Sequence, residues 1–218
     1  QIYEKTRLPA NVLQLVVCED KDASLFVDSP LVNIIAFTGS EKIGKQIYQN
    51  AAVVHEGQNN QGQQHFKKVI LETGGKNAII VDSSADLELA VAGCIKSAFG
   101  YSGQKCSAGS RFIVVEEVYD AFVEKVVAAT KSLRTGDAVH LETDVNALIN
   151  QKAYTKVIQY IGQAQECGGT ILLRGKLKTD NGYYIEPTLI EITPDNFLAQ
   201  EEAFGPVAGI IRAKSFDH

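Results

Sequence analysis

The sequence predicts an α/β protein in which parallel sheets carry helices on their faces. Short runs rich in valine and isoleucine, such as NIIAF, NAIIVD and RFIVVE, alternate with longer stretches whose apolar residues recur at helical spacing. A strand that follows a helix of this length usually returns beside the preceding strand, so the alternation favours parallel pairing. A chain of 218 residues, 45% of them hydrophobic, is long enough to bury a substantial core as one large domain or two smaller ones.

In the first third of the chain, NVLQLVV predicts a short strand and NIIAF, residues 33–37, predicts a buried one. The stretch SEKIGKQIYQNAA predicts a helix with Ser40 as its N-cap. The run HEGQNNQGQQH is polar and has no periodicity, which predicts a solvated loop. KKVILE and NAIIVD then predict two strands on either side of TGG, and the glycine pair Gly74–Gly75 predicts a flexible junction between domains.

In the remainder, ADLELAVAGCIKSAF predicts an amphipathic helix, RFIVVE a strand and VYDAFVEKVVAATKSL another helix. The stretch AYTKVIQYIGQAQE predicts a helix that stops at Gly168–Gly169. TILLR predicts a strand, and TDNGYYIEPTLIEI predicts a hairpin around Asn181–Gly182.

Composition excludes several classes of function. A formal net charge of -5 argues against a nucleic-acid partner, which would favour a basic face. No apolar run approaches the ~20 residues of a membrane span, and the start does not resemble a signal peptide, so we expect a cytoplasmic protein. The four cysteines form no C-x-x-C pair and the four histidines are scattered, which predicts neither a metal site nor a disulfide framework.

The ends of the chain are unusual for a complete protein. It begins with Gln1, contains no methionine and ends abruptly in AKSFDH. We therefore expect this chain to be an internal fragment of a longer protein.

The stretch AFTGSEKIGK places a Gly-Ser turn between a strand and a helix, where free backbone N–H groups favour an anion such as a pyrophosphate. Residues 39–45 match G-x-x-x-x-G-K, the start of a nucleoside triphosphate-binding loop, but Gln46 stands where such a loop needs Ser or Thr. The fingerprint G-x-G-x-x-G is absent. A capped helix, a dinucleotide site and a triphosphate site all stay open at this point.

Glu72 and Cys106 are the candidate reactive residues. Glu72 ends a predicted parallel strand, at the edge where open α/β sheets place their chemistry. Cys106 lies in FGYSGQKCSAGS, whose glycines allow close approach of the backbone to a ligand and whose Lys105 favours a thiolate. The alternatives are a solvated or paired glutamate and an inert cysteine. Cys94 lies on an apolar helical face, which predicts a core position.

Four motifs in order resemble those of the NAD(P)-dependent aldehyde dehydrogenase family. They are FTGS with a glycine four residues after its serine, LETGGKNAIIV, GQKCSA and QEEAFGPV, spread over residues 37–207. The spacing of Glu72 and Cys106 agrees with that of the family's general base and nucleophile. ETGGKNAIIVD and the serine after the cysteine are most similar to the 1-pyrroline-5-carboxylate (glutamate semialdehyde) dehydrogenase branch.

The resemblance implies a mechanism. The Cys106 thiolate attacks the aldehyde to give a thiohemiacetal, hydride passes to NAD, and Glu72 activates the water that hydrolyses the resulting thioester. Ser107 would help to hold the carboxylate end of glutamate semialdehyde. The implied cofactor contacts are Gly39 and Ser40 at the phosphates, Ile43 beside the adenine, and Glu202 and Phe204 around the nicotinamide ribose and ring. The cofactor is predicted to be NAD, with NADP as the alternative.

The resemblance also implies the architecture. Residues 1–72 correspond to the end of a Rossmann-like NAD-binding domain, and residues 73–218 to the first part of an α/β catalytic domain. Family members are much longer, so we expect the isolated chain to be inactive and the parent to be a homo-oligomer or part of a larger proline-oxidising enzyme. Another aldehyde substrate, a non-catalytic fragment and a P-loop-like nucleotide binder are the alternatives.

Overall fold

A computed structural model describes residues 9, 12–53, 65–178 and 181–217. The chain divides into two compact units, residues 1–73 and residues 74–218. Gly74 is therefore the first residue of the second unit. The assignment of the first unit to a cofactor domain and of the second to a catalytic domain stays a prediction.

The first unit is built around one parallel strand pair. Its described elements are α1 (Asp20–Asp28), β1 (Ile34–Gly39), α2 (Glu41–Ala51) and β2 (Lys68–Thr73). β1 and β2 pair in parallel with Thr38 opposite Glu72. Ser40 caps α2 as predicted, because its side chain accepts a hydrogen bond from the Ile43 backbone N–H. The strand–turn–helix order of this segment is thus confirmed.

Two predictions for the first unit are wrong. Residues 14–19, which include most of NVLQLVV, have no regular structure, and Leu15 and Val17 are about nine-tenths exposed. An apolar run becomes a strand only where a partner strand and a covering layer exist, and the residues of the run do not specify either. The strand NIIAF exists but is not buried, since Ile34 is 60% exposed. The predicted loop HEGQNNQGQQH lies outside the described residues, apart from its last histidine.

The second unit contains a five-stranded sheet with the order β3-β4-β9-β8-β5. Its first three neighbouring pairs are parallel, as predicted, and β5 alone runs antiparallel, against β8. The strands of this sheet are β3 (Asn77–Val81), β4 (Gly109–Val115), β5 (Thr170–Leu173), β8 (Thr188–Glu191) and β9 (Val207–Ala213). A short antiparallel pair, β6 (Leu177–Lys178) and β7 (Tyr184–Ile185), flanks Asn181, which has a φ of 62°. This pair confirms the hairpin around Asn181, which tolerates the left-handed conformation, but the first arm lies before the predicted stretch and Thr188–Glu191 belongs to the five-stranded sheet.

Helices cover both faces of the five-stranded sheet. They are α3 (Leu87–Phe99), α4 (Glu116–Lys131), α5 (Gln151–Glu166) and α6 (Phe197–Gln200). Side chains alternate between the two faces of each strand. Ala208 and Ile210 of β9 therefore join a core with residues of α3 and α4, while Val207 and Ile211 join a second core with residues of α5 and α6. The fold class predicted from the alternating pattern is confirmed.

The helix α3 leads directly to the cysteine loop. Asp86 caps α3, since its Oδ1 accepts hydrogen bonds from the N–H groups of Glu88 and Leu89 at 2.9 and 3.2 Å. Cys94 and Phe99 on this helix are almost fully buried, which confirms the predicted core position of Cys94. The capped start and the buried face of α3 therefore fix the position of Phe99, after which the cysteine loop begins.

Candidate functional site

The segment from Gly100 to Ala108 joins α3 to β4 and carries Cys106. It opens with a 3-10 turn, Gly100–Gly103. Cys106 and Ser107 are both exposed. Their side chains are therefore open to a solute, as a nucleophile and a substrate contact would have to be.

The backbone on both sides of Cys106 is held by neighbouring elements. The Asn77 side-chain amide at the start of β3 donates to the Cys106 carbonyl oxygen at 2.7 Å. The Gly109 N–H donates to the hydroxyl of Ser97 on α3 at 3.0 Å. Within the loop, the Ala108 N–H donates to the Lys105 carbonyl at 3.1 Å. The exposed thiol therefore stands on a backbone with little freedom to move.

Asn77 was not identified from the sequence. It follows Lys76 at the start of β3. β3 and β4 are parallel neighbours with Asn77 opposite Gly109, and this register brings the amide beneath the cysteine loop. The only available signal is an Asn in the first position of a strand, where an amide cannot be explained by strand propensity.

The cysteines differ in accessibility. Burial raises the pKa of the Cys94 thiol to about 12, so this residue stays a protonated, inert part of the core. Cys18, Cys106 and Cys167 are exposed. Lys105, which was expected to favour a thiolate at Cys106, places its ammonium group 5.9 Å from the centre of the Tyr101 ring.

Glu202, between α6 and β9, lies against the glycine pair. Its Oε1 accepts a hydrogen bond from the Gly75 N–H at 3.3 Å. A Cβ atom on Gly74 would lie 2.1 Å from Oε2, so a larger residue here would require the Glu202 carboxylate to move. Lys156 donates to the Glu202 carbonyl oxygen at 2.8 Å. The carboxylate is thus anchored at one oxygen and held beside the start of the second unit.

An open recess lies between Glu202 and the cysteine loop. Phe204, 39% exposed, borders this recess and has a left-handed φ of 57°. Ser110 also lines it, and its buried hydroxyl has no hydrogen-bond partner among the described residues. The lining of the recess thus combines an aromatic ring, a carboxylate and closely approaching glycine backbone.

Lys76 is a second residue that the sequence did not reveal. Its Nζ is buried and has no hydrogen-bond partner in the described part of the chain. Burial and then the nearby charge of Arg111 lower the pKa of Lys76 to about 8, while Glu202 and Glu201 oppose this shift. The Arg111 guanidinium donates to the Lys76 carbonyl oxygen and, at 3.2 Å, to that of Ala199. The Lys76 side chain, with a pKa of about 8, therefore lies close enough to Glu202 to interact with its charge.

The remaining predicted contacts belong to the first unit. Gly39 and Ile43 are exposed where β1 meets α2, and the Ser40 hydroxyl accepts from the Ile43 N–H at 3.4 Å. The N-terminus of α2 supplies the backbone N–H groups and partial positive charge that an anion prefers. Glu41 in its first turn pairs with Lys45 at 2.5 Å, and this lysine lowers the pKa of Glu41.

Glu72 is exposed near the end of β2. Among the predicted residues, Cys106, Ser107, Glu202 and Phe204 belong to the second unit, whereas Glu72 belongs with Gly39, Ser40 and Ile43 to the first unit. The action of Glu72 on a group bound to Cys106 stays a prediction.

Two further searches cover only the described residues. They contain no group of three or more His, Cys, Asp and Glu side chains placed to hold a metal ion. No helix among them has both the length and the apolar character needed to cross a membrane.

Comparison with known proteins gives a consistent result. The sequence model described as the aldehyde dehydrogenase family matches residues 1–218. A curated relative, 1-pyrroline-5-carboxylate dehydrogenase 2 of Halalkalibacterium halodurans, is 40% identical over 220 residues, which cover all of this chain and 42% of the relative. The chain therefore spans less than half the length of the curated relatives it matches.

Solved structures agree with this result. A 1-pyrroline-5-carboxylate dehydrogenase from Thermus with bound NAD is 38% identical with a TM-score of 0.83, and the match covers 89% of this chain and 37% of that one. Proline utilization A from Bdellovibrio bacteriovorus, inactivated by N-propargylglycine, is 42% identical with a TM-score of 0.84. That match covers 89% of this chain and 20% of the other.

Proposed function

Since this chain belongs to the aldehyde dehydrogenase family, we propose that the whole protein oxidises glutamate semialdehyde, the open form of 1-pyrroline-5-carboxylate, to glutamate with NAD. The observation that supports the chemistry is the exposed Cys106 on a loop whose backbone is fixed by Asn77. The names of relatives about 40% identical along the whole chain support the substrate.

In the proposed reaction, the Cys106 Sγ attacks the carbonyl carbon of the aldehyde. A carbon–sulfur bond forms, the carbonyl oxygen takes up the electron pair, and a thiohemiacetal results. Covalent capture divides the oxidation into two steps with lower barriers. Bound NAD would supply the hydride acceptor for this oxidation, and Cys106 would then hold the substrate as a thioester.

The residues of this chain fit such a cofactor in each unit separately. In the first unit, Gly39, Ser40 and the N–H groups at the start of α2 would hold the phosphates, with exposed Ile43 beside the adenine. In the second unit, Glu202 would accept hydrogen bonds from the nicotinamide ribose. Phe204, at the edge of the recess, would contact the nicotinamide ring.

Glu72 would act in the second half of the reaction. An exposed carboxylate at the end of a parallel strand can take a proton from water as that water attacks the thioester. The carbon–sulfur bond then breaks, glutamate leaves, and the thiolate is regenerated. Ser107, exposed beside Cys106, would donate to the substrate carboxylate and so favour glutamate semialdehyde over simple aliphatic aldehydes.

Of NAD and NADP, we propose NAD because a relative has been solved with NAD bound. The place of action is proposed to be the cytoplasm, where a free catalytic thiol stays reduced. We also propose assembly as a homo-oligomer or within a larger proline-oxidising enzyme. The chain covers 20% of one such larger relative, proline utilization A.

The test uses the full-length protein with Cys106→Ser, Glu72→Gln and, as a matched control, Cys167→Ser at another exposed cysteine. Cys106→Ser should abolish NADH formation, since the hydroxyl is a far weaker nucleophile. Glu72→Gln should lower steady-state turnover by about 10²–10⁴-fold, the usual contribution of a general base. It should still release one equivalent of NADH in a burst, because the thioester forms but is not hydrolysed.

Activity in Cys106→Ser equal to that of the control would refute the proposed function. A rate of propanal oxidation equal to that of glutamate semialdehyde would leave the chemistry standing but overturn the proposed substrate. The isolated 218-residue chain is expected to form no NADH at rates of ~1 s⁻¹ or more, because it spans under half the length of its relatives.

A further inference from the structure

The turn before the cysteine loop has an unusual backbone. Tyr101, Ser102 and Gly103 lie in succession in the left-handed region, with φ values of 55°, 57° and 69°. L-residues other than glycine visit this region as single residues and not in runs, because Cβ approaches the following carbonyl oxygen. Such a conformation persists only where the surrounding contacts impose it.

Ser102 provides contacts that can impose this conformation. Its side chain is fully buried. Its hydroxyl donates toward Asn146, whose carbonyl oxygen lies at 2.9 Å and whose side-chain Oδ1 lies at 2.6 Å. The same hydroxyl accepts a hydrogen bond from the Asn146 backbone N–H at 2.9 Å. One buried hydroxyl thus engages three atoms of a single residue.

Gln104 makes a second connection to the same neighbour. Its Nε2 donates to the Ala147 carbonyl at 3.4 Å, and its Oε1 accepts from the Ile149 N–H at 3.0 Å. We call residues 146–149 the tether segment. Leu148, in its middle, is buried and donates its N–H to the Tyr183 carbonyl at 2.9 Å, so the tether segment is itself fixed to the second unit.

Gly103 limits the turn from the other side. A Cβ atom on Gly103 would lie 2.2 Å from the carbonyl oxygen of Gly205. Gly205 directly follows Phe204 at the edge of the recess. The turn is therefore enclosed between the tether segment and the backbone beside the recess, and Cys106 follows three residues later.

We infer that Ser102 and Asn146 are positioning residues, which hold the left-handed turn and thereby set the direction from which the Cys106 Sγ meets the aldehyde. The inference rests on the proposed function of Cys106. Neither residue touches the thiol. They act through the backbone, whose other end Asn77 holds at the Cys106 carbonyl.

The test compares two variants of Ser102 in the full-length protein. Ser102→Ala removes the hydrogen bonds but keeps the Cβ that disfavours the left-handed region. Ser102→Gly removes the same bonds and also the conformational cost, since glycine adopts this region readily. We expect kcat to fall about 10- to 100-fold in Ser102→Ala and to recover at least threefold in Ser102→Gly, with KM for NAD within twofold of wild type in both.

A second readout does not depend on the substrate. Iodoacetamide alkylation of Cys106 should slow at least threefold in Ser102→Ala relative to wild type, while that of exposed Cys167 stays unchanged. Asn146→Ala removes the Oδ1 contact and should show the same changes at smaller size. It tests the inference independently if Ser102→Ala does not fold. Thr130→Val is the control, because the Thr130 hydroxyl is also buried but donates within its own helix, to the Val126 carbonyl oxygen of α4.

Wild-type kcat and alkylation in folded Ser102→Ala or Asn146→Ala would overturn the inference. A Ser102→Gly variant as impaired as Ser102→Ala would also overturn it, because the conformational cost of the left-handed turn would then not explain the loss of kcat. If Cys106→Ser loses activity while Ser102→Ala keeps wild-type kcat and alkylation, this inference is wrong but the proposed function is not. Full activity in Cys106→Ser would refute the proposed function and this inference with it.

Discussion

Lys76 and Cys94 show how burial changes the chemistry of a single side chain. Lys76 follows the glycine pair in a motif-rich stretch, yet its Nζ is buried and has no hydrogen-bond partner among the described residues. Cys94 lies in the middle of α3 and is fully buried. Burial favours the neutral form of each group, so the pKa of Lys76 falls to about 8 and that of Cys94 rises to about 12.

Lys76→Met is expected to change the pH dependence of stability. The pKa of Lys76 in the folded chain is about 8, below the ordinary value of 10.5, so between these pH values the unfolded chain binds more protons. This lysine therefore makes the free energy of unfolding rise with pH over that window. The stability of Lys76→Met relative to wild type should fall by about 2–3 kcal/mol between pH 7 and pH 10.

Urea denaturation at several pH values measures this difference. Lys131→Met, at an exposed lysine at the end of α4, is the control and should alter the free energy of unfolding by less than about 0.5 kcal/mol at each pH. If the free energies of unfolding of wild type and Lys76→Met change equally with pH, Lys76 does not titrate within this window.

Cysteine alkylation should separate the buried thiol from the exposed ones. In the folded chain, Cys18, Cys106 and Cys167 are expected to react with iodoacetamide, because they are exposed. Cys94 should react only after unfolding, since its thiol is buried and protonated. Peptide mapping with and without urea measures this, and labelling of Cys94 at the rate of Cys167 without urea would contradict it.

At the scale of elements, the local signals placed α2, α3, α4 and α5 correctly within a few residues. Side-chain caps fix the start of three of these helices, since Ser40, Asp86 and Asn150 each accept hydrogen bonds from the first turn, whereas α4 follows Val115 without such a cap. Such contacts span only three residues and are encoded locally. The strand prediction for NVLQLVV is wrong because a strand depends on a partner strand that its own residues do not specify.

Asp86→Ala should destabilise the second unit through α3. Two backbone N–H groups lose their acceptor, which costs about 1 kcal/mol. Asp86→Asn keeps an accepting oxygen and is the matched control, expected to lose only a few tenths of a kcal/mol. The measurement is the free energy of unfolding by denaturant. Equal losses for both variants would assign the effect to charge and not to capping.

At the scale of the whole second unit, one sheet separates two cores. Phe112 of β4 and Phe122 of α4 meet edge to face with ring centres 6.2 Å apart, and both are fully buried. The opposite face is packed by Val157 and Ile161 of α5. The loops that carry Cys106 and Glu202 thus start from strands and helices that are packed on both sides.

Phe122→Ala should be among the most damaging single changes in the second unit. The lost transfer energy and the cavity left behind amount to about 3–5 kcal/mol. Leu141→Ala, at a fully exposed residue, also removes a large apolar side chain and should stay within about 0.5 kcal/mol of wild type. Denaturant titration of both variants tests this, and a loss below 1 kcal/mol at Phe122 would mean that this core is not tightly packed.

The sequence by itself determined the alternating α/β pattern, the Ser40 cap of α2, the core position of Cys94 and the placement of Cys106 between a helix and a strand. Each of these depends on residues close together in the chain. Only the tertiary structure decided which apolar runs are buried, that Asn77 holds the Cys106 carbonyl, that Lys76 is buried beside Arg111, and that Ser102 bonds to Asn146. These contacts join residues 29 to 44 positions apart. They form because sheet register and helix packing bring distant segments together, and no local spacing encodes that geometry.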